Sequence, residues 1–112
     1  MTFEAFDVVV VPFPFTDRQS AKRRPALVLS DAHTFNAEIG HSVLAMITSA
    51  KNSDWPHDTE ITDLDSAGLS SESVVRLKLF TLDNQLILRK AGSLSASDRK
   101  QVSLALAKVL SL

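Results

Sequence analysis

The sequence has no cysteine and no tyrosine, and only three glycines and one tryptophan among its 112 residues. Without cysteine there is no disulfide, no thiolate metal ligand and no thiol nucleophile. Gly40, Gly68 and Gly92 stand far apart and cannot build a glycine-rich phosphate loop, which sets nucleotide-dependent enzymes aside. No apolar run is long; Val8–Val11 falls far short of the ~18 residues that a membrane span needs. The opening MTFEAFDVVV lacks the basic start of a secretory signal, so the expectation is a soluble, cytoplasmic chain. Neither sign of charge dominates: 12 Lys and Arg against 13 Asp and Glu give a net charge of -1. A chain-wide basic coat for nucleic acid is therefore excluded, and any such role must rest on a local site.

What is present suits one domain spanning residues 1–112, with 45% hydrophobic and 22% charged residues, as in ordinary globular proteins. The charge is unevenly spread. Arg18, Lys22, Arg23 and Arg24 crowd into seven positions, whereas 54–72 holds six acids and no Lys or Arg. Phe6–Phe13, rich in valine and ended by Pro12 and Pro14, predicts a strand that cannot stay central past the prolines. TDRQSAKRR predicts an exposed loop. Pro25–Ser30 and Ser42–Ser49 predict two more strands, with a loop or one helical turn between them. Thr59–Thr62 predicts a short edge strand, Asp65–Glu72 a turn on Gly68, and Ser73–Leu82 and Leu86–Leu94 two further strands. The last element is a helix capped by Ser95 or Ser97, with Asp98 in its first turn and Val102, Leu106 and Val109 on one apolar face. Short strands followed by one helix predict a mainly β fold, a small β-barrel with a C-terminal α-helix packed on it.

Few residues suggest chemistry by type and spacing. His33, His41 and His57 all lie in predicted loops and share no helical face with a second ligand, so surface histidines are expected and no metal site. His57-Asp58 resembles a base with its partner, but adjacent side chains normally point apart. Asp58, Glu60, Asp63 and Asp65 form an acidic cluster without the spacing of a calcium loop, which reads as a solvated surface. Phe3, Phe6, Phe13 and Phe15 are simplest as core or interface, and Trp55 beside Pro56 offers a π-face to a base. The strongest local feature is Arg23-Arg24-Pro25 entering one strand with Thr48-Ser49 ending the next. An arginine at a barrel mouth can grip phosphate bidentately, and a neighbouring hydroxyl can complete the pocket.

The ordered segments DVVVVPFPF (7–15), KRRPALVLS (22–30), AMITS (45–49), SVVR (73–76) and FTLD (80–83) resemble the MazF/PemK family, toxins of bacterial toxin–antitoxin pairs. The likeness runs through nearly the whole chain. It implies an SH3-like barrel of the MazF/PemK/CcdB type, a homodimer, and a metal-independent endoribonuclease that cuts single-stranded RNA at short sequences with no cofactor. It also implies a cognate antitoxin that wraps the dimer, and no membrane partner. Of the family's motif residues, the catalytic arginine and threonine fall on Arg24 and Thr48, with Ser49 beside the latter. Arg23, Ser49, Arg76 and Lys78 complete the implied RNA-binding set. The chain departs from many members twice: Phe6 stands where they have glycine, and Lys78 where they have an acidic residue. The competing reading is a non-catalytic toxin homologue on the same fold, acting by antitoxin titration or gyrase-type inhibition.

Overall fold

The computed structural model describes residues 2–13, 22–52 and 54–112; residues 16–21 of the loop predicted at 16–24 lie outside them, as does Phe15. The chain forms β1 (Asp7–Phe13), β2 (Lys22–Val28), a π-helical turn (Ala32–Asn36) running into α1 (Ala37–Ile39), and β3 (His41–Ser49). Then follow β4 (Thr59–Glu60), α2 (Leu64–Ala67), β5 (Ser73–Asp83), β6 (Arg89–Ser93) and α3 (Ala96–Leu110). All strand pairs are antiparallel, in one curled sheet of order β4-β5-β3-β2-β1-β6. This is the mainly β architecture with a C-terminal helix that the sequence predicts.

Three details correct the sequence reading. Lys22, Arg23 and Arg24 belong to β2 rather than to a loop, because β1 pairs with them through Val11↔Arg24 and Pro12↔Arg23. Residues 64–67 form a helical turn, capped by Asp63 through Ser66 N–H and ended by left-handed Gly68. Val109 does not share the burial of Val102: it is 44% exposed where Val102 is 1%. The prolines obey the expected rule in an unexpected way. β6 accompanies β1 only to Val10, and β3 accompanies β2 only to Ala26, so Pro12 and Pro25 fall where their strands have a single neighbour.

Strand alternation divides the side chains between two faces. The inner face carries Val8, Leu27, Ala45, Ile47 and Val75, packed with Ile61, Ala67, Leu94 and, from α3, Val102. The outer face carries Val9, Val11, Ala26, Val28 and Leu44, covered at one end by Phe3, Leu82 and Ile87. The ends of the sheet are tied by polar contacts across the curl. Asp98 on α3 is 2% exposed and accepts from Thr62 N–H, Thr62 Oγ1 and Asp63 N–H, which fastens the segment after β4 to the helix. Ser95 caps the same helix through Asp98 N–H. α2 lies against β6 so closely that a Cβ on Gly68 would stand 2.1 Å from the Ala91 carbonyl oxygen, and one on Gly92 2.3 Å from that of Ser66. Only glycine admits that approach.

The chain turns into β1 at Phe6, whose φ of 70° is the conformation that favours glycine. Its N–H donates to the Val28 carbonyl, and its ring packs on the inner core with the Arg99 guanidinium 5.6 Å away. Side-chain packing here holds a backbone that glycine would adopt freely. The departure at position 6 is thus accommodated locally, within the core.

Candidate functional site

β2 begins and β3 ends at the same rim of the sheet, because the two strands run antiparallel. Their pairing reaches Ala26↔Met46, and two residues further toward the rim, on the same outer face, stand Arg24 and Thr48. β5 adds to this face from the other side of β3: Met46 pairs with Arg76 and Thr48 with Val74. The register slips between Ala45 and Met46, so that Leu79 and Arg76 face consecutive β3 residues and Leu77 and Lys78 bulge between them. Alternation puts Lys78 with Arg76 on the outer side. Of the six residues implied by the resemblance, the fold therefore gathers Arg24, Thr48, Arg76 and Lys78 on one exposed half of one face.

Arg23 and Ser49 are not there. Each neighbours a gathered residue along its strand, and the period of two turns each to the inner side. Ser49 pairs with Ser73 and accepts from Lys51 N–H, while Arg23 lines a cavity inside the rim.

The environment of each outer residue differs. Arg24 is exposed, with its guanidinium carbon 5.9 Å from the Phe13 ring. Thr48 is half-buried beneath the rim. Arg76 is held by Asp58, which accepts from its Nε at 3.3 Å and from its Nη2 at 2.8 Å. Both partners are well covered, with side-chain exposures of 15% for Arg76 and 8% for Asp58. The Asp58 hydrogen bond, against the effect of burial, raises the Arg76 pKa above its ordinary value. Trp55, 43% exposed, lies over both cations, 5.6 Å from Arg76 and 5.4 Å from Lys78. The 54–58 segment thus forms a wall beside the site, pinned by one carboxylate and one indole.

Sequence reasoning missed Asp58 as the partner of Arg76, since they lie 18 positions apart and only the fold brings them together. Asp58 does not serve His57: that histidine is exposed, with φ of 63° in the turn. His41 opens β3 at the end opposite Thr48, and His33 is exposed in the π-helical turn. The acidic cluster is dispersed by the fold: Asp58 pairs with Arg76, Asp63 caps α2, and Asp65 lies within α2. Among the described residues no group of three His, Asp or Glu could hold a metal ion. No helix among them is long and apolar enough to cross a membrane.

Chemically, this half of the face offers one exposed guanidinium, a second held by Asp58, an ammonium, a half-buried hydroxyl and an indole. That set suits a polyanion with stackable rings.

No curated protein matches the chain in sequence. Among solved structures it is similar over 100% of its length to MazF from Deinococcus radiodurans, at 24% identity and TM-score 0.75, covering 99% of that chain. A mycobacterial endoribonuclease in complex with its cognate antitoxin aligns at TM-score 0.76 and 16% identity, over 99% of this chain and 95% of that one. The Mycobacterium tuberculosis toxin MazF-mt6 aligns at TM-score 0.74 and 20% identity, over 95% and 97%. These likenesses concern the fold. The family model of PemK-like, MazF-like toxins of type II toxin–antitoxin systems matches residues 4–110, nearly the whole sequence, and the chain belongs to that family.

Proposed function

We propose that this chain is the toxin of a type II pair and acts as a metal-independent endoribonuclease on single-stranded RNA, with Arg24 and Thr48 at the centre of its site. The observation that carries the reading is that both stand on the outer face toward the same rim, the face that also carries Arg76 and Lys78 under Trp55. RNA cleavage without a metal uses the adjacent 2′-hydroxyl as nucleophile. Its oxygen bonds to phosphorus as its proton passes to solvent water, the bond from phosphorus to the 5′ oxygen breaks to leave a 2′,3′-cyclic phosphate, and the intermediate between them carries excess negative charge. Arg24 stabilises that charge with its fork of donors and can supply the proton to the leaving oxygen. Thr48 positions the phosphate. Lys78 and Trp55 hold the neighbouring nucleotides, the first by charge and the second by stacking. Arg76 acts beside them in its pair with Asp58. DNA, lacking the nucleophile, survives.

The whole chain works as one domain in the cytoplasm, as a homodimer, with a cognate antitoxin as its protein partner. The solved relative bound to its cognate antitoxin supports the last point, and the exposure of Leu104, Val109 and Leu110 on α3 supports association. The test is incubation of purified protein with a long unstructured RNA in excess EDTA, with Arg24→Ala in parallel. Fragments with 5′-hydroxyl ends from the wild type alone are expected. A second reading, a non-catalytic homologue that acts by binding protein, is favoured by one observation: the Arg76 guanidinium is engaged by Asp58. RNA left intact by a folded wild type would decide for it.

A further inference from the structure

Arg23 and Arg24 are adjacent on β2, so their side chains leave the strand on opposite sides. Arg24 reaches the outer site, and Arg23 reaches a cavity of about 320 Å³ inside the rim. A second guanidinium lines the same cavity: Arg89, on the first residue of β6, pairs with Val10 of β1, which in turn pairs with Pro25 of β2. Val10 and Pro25 make an apolar floor, with Ser70 and Ser71 on the far wall. No Asp or Glu lines the cavity, and neither arginine has an ion-pair partner among the described residues. In a chain with net charge -1, two guanidiniums turned toward a cavity without carboxylates create a local field for an anion.

The serine wall is built rather than incidental. The turn that carries it leaves α2 at Gly68, which is seated against Ala91 of β6 with no room for a side chain. Leu69 N–H donates to the Leu64 carbonyl, and Ser73 Oγ donates to that of Ser71. These contacts fix the turn from which Ser70 and Ser71 line the cavity with the arginines. Guanidinium forks combined with hydroxyl donors match the oxygens of a phosphate group.

We infer that this cavity is a second phosphate subsite, which takes a backbone phosphate of the RNA as the strand passes over the rim from the outer site. The inference rests on the ribonuclease reading for the identity of the polyanion. Arg23 and Arg89 grip the phosphate from two strands, and the apolar floor excludes water from beneath it. The subsite lengthens the footprint on RNA beyond the scissile phosphate.

The test uses a random-sequence pool of 2′-O-methyl oligonucleotides, which cannot be cut because the nucleophile is blocked. Binding by wild type, Arg89→Ala and Arg89→Glu is followed by fluorescence anisotropy over a salt series. Arg89→Ala is expected to weaken binding about tenfold, the scale of one charge-assisted hydrogen bond. The slope of log affinity against log salt should become shallower by about 0.7, because one phosphate is no longer neutralised. Arg89→Glu should weaken binding further, and circular dichroism should show both variants folded, since Arg89 is exposed. Wild-type affinity and slope in Arg89→Ala would overturn the inference, as would a wild type that does not bind the pool. So would loss of binding to an acidic peptide, a glutamate decamer, with RNA affinity retained; that result would assign the cavity to a protein partner. If the pool binds and Arg89→Ala weakens it while unmodified RNA stays intact in EDTA, the subsite stands and the ribonuclease reading falls.

Discussion

The same strands build the outer face of the sheet twice, and the two halves end in opposite states. Toward one end, Val9, Val28 and Leu44 are sealed under Phe3, Leu82 and Ile87, and Asn36 is wholly buried, donating from Nδ2 to the carbonyls of Phe3 and Ser30. Toward the other end, Arg24, Met46, Thr48 and Arg76 continue the same rows; Arg24 lies open, and Arg76 sits under Trp55 in its pair with Asp58. Alternation is identical in both halves. What separates core from site is the cover. The N-terminal segment and the 84–88 stretch close one half, and at the other half β2 and β3 stop pairing before their rim residues. A family that keeps the strands can therefore keep its core while the rim residues change.

The largest expected effect tests the sealed half. Leu44→Ala should cost about 2–5 kcal/mol, because a fully buried side chain leaves a cavity under a fixed cover. Met46→Ala, two residues along the same row and half-buried, should cost about 1 kcal/mol. Urea denaturation of both variants gives the comparison directly. Equal costs would mean that the open half is covered in solution, and the two halves would no longer differ in kind.

Next comes the open half. Arg24→Ala should lower RNA cleavage about 10²–10³-fold, the scale of one missing transition-state donor. Its thermal midpoint should stay within about 3 °C of the wild type, as for an exposed residue. Arg24→Lys should recover only part of the rate, because an ammonium cannot make the two-pronged contact. A wild-type rate in folded Arg24→Ala would move the catalytic site elsewhere.

Much of the fold is legible in the sequence because it rests on local rules. Valine-rich and alternating segments mark the strands, and Ser95 with Asp98 marks the start of α3. The site is legible as residues but not as geometry. Arg23 and Arg24 look equivalent as a basic pair, as do Thr48 and Ser49 as a hydroxyl pair. The pleat sends one of each pair outward and the other inward, so only register separates them. Asp58 reads as one acid in a solvated cluster, and nothing within 18 positions announces Arg76 as its partner. Arg89 carries no signal at all until β6 is paired with Val10. Asp98 reads as a charge suited to the helix dipole, whereas its carboxylate also ties two chain segments together. Local patterning thus fixes which elements form, and long-range pairing fixes what they present.

Asp98 lies on the inner side and sharpens the comparison by acting on stability alone. Burial works against its charge, but hydrogen bonds from Asp63 N–H and from Thr62, N–H and hydroxyl, outweigh that and hold its pKa below the ordinary carboxylate value. The sign follows. A depressed folded pKa stabilises fully above the unfolded value of about 3.9, and the contribution fades as pH falls through the folded value. Asp98→Asn should therefore cost about 1–3 kcal/mol near neutral pH. The gap between variant and wild type should hold constant down to about pH 5 and narrow below about pH 4. Denaturation midpoints across that range check it. A gap independent of pH would mean that the carboxylate's charge does not fasten the Thr62–Asp63 segment.

The smallest effect concerns the boundary of the open half, where Asp58 engages a cation on a face otherwise suited to a polyanion. Both partners are well covered, but asparagine keeps an acceptor oxygen for the Arg76 guanidinium, so Asp58→Asn should lower the denaturation midpoint only slightly. Its consequence should fall on RNA binding. Releasing Arg76 from the carboxylate adds a guanidinium to the face and removes a negative charge from its wall. Affinity for a 2′-O-methyl oligonucleotide should rise a few-fold, and the salt slope should steepen by about 0.7 if one more phosphate is contacted. The opposite sign is equally informative. Weaker binding would show that Asp58 serves the site by fixing Arg76 and Trp55 in place, so that geometry outweighs charge at this edge of the site.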